Sequence, residues 1–271
     1  MNARTLQGWL LALVVTASTG PAWADDGPSS DQLAISGNAS ELTGDHGGGG
    51  GSLAWLHNFT PSTLIDVAGE YEALANSHWE FGSLSGSTSF GNPGEKTSVY
   101  AEGHEGRGDI GPDHPFGYQV LAAGVVQSLG KQLAVQLEDR QFDIDTSHGN
   151  LPKLGIAWAL TPRFTTTVAY AYTAGGNLGT NLLSLRFDGA AWRINWLAGA
   201  AFGTASPAIV NLETGFVEPS KRLNEGFAGL VLPVARGKLT LVADYLDLAG
   251  FRRSTLTLSY IVPIGSSGAS R

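Results

Sequence analysis

The chain has 271 residues, 37 of them glycine, no cysteine, 15% charged residues and a formal net charge of -8. These figures exclude a disulfide-stapled secreted domain and argue against a nucleic-acid partner, which needs a basic surface. Beyond a short N-terminal run, no stretch stays apolar for the roughly 20 residues that a spanning helix requires, so a helical membrane protein is excluded too.

At the N-terminus, Arg4 precedes the apolar run from Trp9 to Val15, and Ala22-Trp23-Ala24 follows as a small-residue cleavage site. That pattern predicts a secretory signal peptide over residues 1–24 and a mature chain starting near Asp25. Next, Asp45 and His46 run into Gly47 to Gly51. This stretch reads as a flexible outer loop and not a phosphate cradle, because no Lys-Ser/Thr and no helix start follows it.

From there to residue 264 the dominant signal is period-two alternation in segments of roughly ten residues divided by turn residues. Leu154, Ile156, Trp158 and Leu160 alternate with Lys153, Gly155, Ala157 and Ala159. Val168, Tyr170 and Tyr172 alternate with Thr167 and Ala169, Leu183 and Leu185 with Ser184 and Arg186, Leu239 and Leu241 with Lys238 and Thr240, and Leu256 and Leu258 with Thr255 and Thr257. A soluble β-sandwich alternates as well, but here Phe59, Trp158, Phe164, Phe187, Trp192, Tyr245 and Tyr260 gather towards strand ends, as membrane-interface girdles do.

Short turns are expected at Thr60-Pro61-Ser62, Gly91 to Gly94, Leu129 to Lys131, Thr161 to Arg163, Asp188-Gly189-Ala190 and Ala235 to Gly237. Outer loops are expected at Gly47 to Gly51, Ala75 to Ser77, Gly106 to Pro115, Thr146 to Pro152, Gly175 to Gly179, Gly203 to Asn224 and Asp247 to Gly250. The resulting fold class is all-β: a transmembrane antiparallel up-and-down β-barrel over residues 25–264, with a tail at 265–271. The turns divide it into about 14 strands, and 12 or 16 follow if weak segments merge or the 203–224 stretch splits.

The polar phase of the strands predicts a lumen lined by Asp66, Glu70, Glu72, Glu80, Glu102, His104, Gln136, Glu138 and Arg140 in the first half. Lys153, Arg163, Arg186, Arg193 and Lys238 line it in the second. An acidic wall then faces a basic one. Either a transverse field acts on solutes in a wet pore, or the charges pair across a narrow lumen and shut it. His104, Glu105, Asp109, Asp113 and His114, and separately Asp145 and His148, lack any ligand spacing, so solvated loops are expected and no metal. No catalytic constellation of the known barrel hydrolases, proteases or acyltransferases stands out, so no catalytic residue and no cofactor are expected.

Leu160-Thr-Pro-Arg-Phe164, Leu183-Ser-Leu-Arg-Phe187, Trp192-Arg-Ile-Asn-Trp196 and the closing Leu256-Thr-Leu-Ser-Tyr260 resemble the YaiO-type outer-membrane barrels and the barrel portion of exopolysaccharide secretion porins. The chain departs from them in closing on Val262-Pro263-Ile264 instead of an aromatic residue, and in carrying no helical-repeat domain before the barrel. The resemblance implies polysaccharide export with a separate periplasmic partner. The expectation is therefore an outer-membrane pore or export component for polysaccharide or small hydrophilic solutes. It would be inserted by the barrel-assembly machinery and surrounded by lipid and lipopolysaccharide. A closed structural or adhesive barrel without transport is the alternative, and a barrel enzyme the remoter one.

Overall fold

The structure, a computed structural model, describes residues 30–42, 47–74, 77–110, 115–144, 147–176, 179–205, 221–248 and 251–264. The expected leader at 1–24, the tail at 265–271 and the core of the 203–224 stretch lie outside the described residues. Fifteen strands follow in chain order: β1 (Ser30–Leu42), β2 (Gly48–Thr60), β3 (Thr63–Leu74), β4 (Ser77–Phe90), β5 (Thr97–Ile110), β6 (Pro115–Leu129), β7 (Leu133–Ile144), β8 (Ser147–Asn150), β9 (Lys153–Thr161), β10 (Phe164–Tyr172), β11 (Asn181–Ala191), β12 (Ile194–Ala205), β13 (Lys221–Val234), β14 (Gly237–Leu248) and β15 (Phe251–Pro263). All pairings are antiparallel, and the β1–β15 pair closes the ring. β8 and β9 both pair with β7 and are parted at Leu151-Pro152, where proline has no N–H for the ladder. They form one interrupted stave, so the protein is a closed barrel of fourteen staves.

The alternating apolar residues point outwards. Leu53, Leu84, Leu154, Ile156, Trp158, Val168, Leu183, Leu256 and Leu258 are all exposed, an arrangement that water penalises and hydrocarbon rewards. Aromatic rings border this belt. Trp55, Phe59, Phe90 and Trp158 lie towards the short turns, and Tyr71, Tyr170, Tyr172 and Tyr245 towards the other end. The protein is thus an outer-membrane β-barrel. The start of β1 and the end of β15 both lie at the short-turn end, which in bacterial barrels faces the periplasm.

Several boundaries depart from the sequence reading. The glycine run is strand: Gly48 to Gly51 continue β2 against β1 and β3. Glycine is needed because a Cβ on Gly49 would stand 2.7 Å from the Asn38 carbonyl oxygen. The turn expected at Asp188-Gly189-Ala190 lies instead at Trp192-Arg193, with Trp192 at φ 60°. Gly189 serves another purpose, since the Trp196 ring lies where its Cβ would be. Much of the 106–115 and 146–152 loops is also strand, in β5, β6 and β8, and β12 and β13 enter the 203–224 stretch from both sides.

Candidate pore interior

On several strands the inward positions are partly open near the periplasmic end and buried towards the outer end. On β14 the inward series runs Lys238, Thr240, Val242, Asp244, Leu246, Leu248. Lys238 is exposed and Thr240 partly open, and the last four are buried. On β10, Thr165 and Thr167 are partly open, whereas Ala169 and Ala171 are buried. Most of the buried apolar side chains join into one cluster that takes Leu42 from β1, Trp79 from β4, Phe116 from β6, Phe142 from β7, Leu182 from β11 and Leu223 from β13. These groups face away from lipid, yet Leu223 is 0% and Trp79 1% exposed. An open channel would leave its lining wet, so side chains close the lumen at this level.

Inward glycines set the shape of this layer on one wall. In the row Phe81, Gly106, Tyr118, the two rings meet edge to face across the glycine, 6.0 Å between centroids. In the row Trp79, Gly108, Phe116, a Cβ on the glycine would lie 2.7 Å from Phe116 Cζ. The rings are therefore recessed against the barrel wall instead of projecting to the axis.

The same device places the charges. In the row Glu102, Ala122, Arg140, the small central residue lets Arg140 Nη2 donate to Glu102 Oε1 at 2.7 Å. In the row Tyr100, Gly124, Glu138, the Tyr100 hydroxyl crosses the glycine and donates to Glu138 Oε2 at 2.5 Å. Gln136 Nε2 donates to the Tyr100 oxygen at 2.9 Å. Arg140 is also 3.3 Å and Lys153 3.5 Å from Glu138, while His104 is 3.8 Å from Glu102. Across the barrel, buried Arg253 lies 3.7 Å from Asp244 and within the fields of Glu72 and Glu225. On β11, Arg186 clasps Asp188 with Nη2 at 2.6 Å.

This pairing corrects the expected division into an acidic and a basic wall: each wall carries both signs and neutralises its arginine locally. Asp66, Glu70, Glu72, Glu102, Glu138, Arg140, Lys153 and Arg186 do occupy inward positions, and Lys238 sits exposed at the periplasmic mouth. Three residues do not. Glu80 faces out, because its register places Trp79 inward, and it pairs on the outer surface with Arg107 at 2.6 Å. It lies near the outer end of β4, where outward positions leave the hydrocarbon and tolerate charge. Arg163 and Arg193 are exposed in the tight periplasmic turns.

Arg253, Glu225, Tyr100 and the inward apolar set escaped the sequence reading. The legible trace was on β14, where Leu246 and Leu248 occupy the same phase as Lys238 and Thr240.

No known family model matches the sequence, and no curated protein does. Solved structures do resemble the fold. The CymD monoaromatic hydrocarbon channel aligns over 88% of this chain and 89% of its own at 10% identity and a TM-score of 0.57. The outer membrane protein Omp33 of Acinetobacter baumannii aligns over 87% of this chain and 99% of its own at 13% identity and a TM-score of 0.51. Both likenesses concern the porin-like barrel fold.

Proposed function

We propose that the protein is a non-enzymatic outer-membrane passage for small solutes that rests shut at its outer end. One observation carries the reading: the inward side chains are accessible near the short turns and buried beyond them, where an apolar cluster is interleaved with the charges of Glu72, Glu225, Asp244 and Arg253. An apolar constriction excludes water and ions by dewetting, and it yields to modest side-chain movement. In this reading the wall is embedded in lipid and lipopolysaccharide and is inserted by the barrel-assembly machinery. The finer expectation of polysaccharide export with a YaiO-type affiliation and a periplasmic partner receives less support.

Single-channel recording in planar bilayers tests this. The native barrel is expected to show rare, small openings, and a Leu223→Ala, Leu246→Ala variant a persistent, larger conductance. Silence from both proteins, with assembly intact, would establish the closed structural barrel instead.

A further inference from the structure

We propose that the apolar layer is itself a recognition site, for a neutral molecule of about one aromatic ring carrying a single hydrogen-bond acceptor. The inference rests on the pore reading above and supplies its solute class.

Three features lead there. First, Gly106 and Gly108 hold the rings of Phe81, Tyr118 and Phe116 back against the wall, giving a fixed aromatic surface. Leucines, Leu223 among them, pack into the same cluster. A flat apolar solute can replace leucine contacts with ring contacts at little cost. Second, the Trp79 indole N–H is fully buried within the layer and has no hydrogen-bond acceptor. A buried donor left unmade is expensive, so a solute that brings one acceptor recovers that cost. Third, the carboxylates within the layer disfavour anions. Glu72 is the register partner of Trp79, and Glu225 Oε1 is buried without a hydrogen-bond donor. Arg253 already pairs with Asp244 at 3.7 Å.

The test uses the full barrel in lipid nanodiscs with its indole nitrogens labelled with ¹⁵N. The Trp79 signal is assigned by its loss in Trp79→Phe, and acetophenone, benzoate and arabinose are titrated in turn. Acetophenone should move the Trp79 N–H resonance downfield in a saturable way, with benzoate and arabinose leaving it in place at equal concentration. Trp79→Phe, which keeps a ring but loses the donor, should weaken acetophenone binding by about three- to tenfold in saturation-transfer measurements. A response to arabinose equal to that to acetophenone overturns the proposal. So does an acetophenone effect that never saturates and touches all indoles alike. The conductance of Leu223→Ala, Leu246→Ala, recorded in parallel, separates the two claims. Current without an acetophenone response removes only the solute class, and silence in both assays removes the pore as well.

Discussion

The two ends of the lumen are built from the same staves in the same alternation, yet one end is an accessible vestibule and the other is sealed by buried apolar and charged side chains. β10 displays both within nine residues: Thr165 and Thr167 face a partly open interior, and Ala169 and Ala171 are buried. Outward, Val168, Tyr170 and Tyr172 are exposed beside the buried alanines. The difference teaches that the lipid-facing phase is uniform because hydrocarbon is uniform. The inner phase can change character along the strand, and function is written in that change.

The largest effect that could break this comparison lies in the sealed end. Arg253→Ala leaves Asp244, Glu72 and Glu225 buried with no cation among them, which should cost about 3–5 kcal/mol. Urea unfolding followed by heat-modifiable gel mobility measures it, and native-like stability would mean that water reaches these carboxylates. Next, Ala171→Arg forces a long charged side chain into the sealed layer and should prevent assembly or cost several kcal/mol. Val168→Arg places the charge in lipid from the same stave, at about 2–4 kcal/mol near the midplane. The smallest effect belongs to Thr167→Arg, whose head group can reach the vestibule water, and a change within about 0.5 kcal/mol is expected. If Thr167→Arg proved as damaging as Ala171→Arg, the vestibule would not exist.

The barrel was readable from the sequence because hydrocarbon imposes one simple rule on alternate residues, and Leu154, Ile156, Trp158 and Leu160 obey it without exception. Tight turns at Pro61, Gly130 and Pro162 were readable for the same reason: their residue types suit the backbone there. The Trp192 turn was hidden because its positive φ is carried by a residue that rarely adopts it, while the nearby Gly189 makes room for Trp196. The interior was harder. Charge alone does not give the phase: it suggests an inward Glu80, which stands opposite Arg107 on the outside. The pairs Glu102 with Arg140 and Tyr100 with Glu138 depend on Ala122 and Gly124 in an intervening strand. Register, a long-range property, decides which small residue lies between which charges.

The central claim is that the lumen is open towards the short turns and shut beyond them, and cysteine accessibility tests it most directly, since the chain has no native cysteine. Thr167→Cys and Ala171→Cys, each alone in the barrel in nanodiscs with both faces exposed, are treated with a small charged thiol reagent. Thr167→Cys should react readily. Ala171→Cys should react at least ~10-fold more slowly, the factor that a local opening free energy of about 1.4 kcal/mol produces. Equal rates at the two positions would contradict the sealed layer.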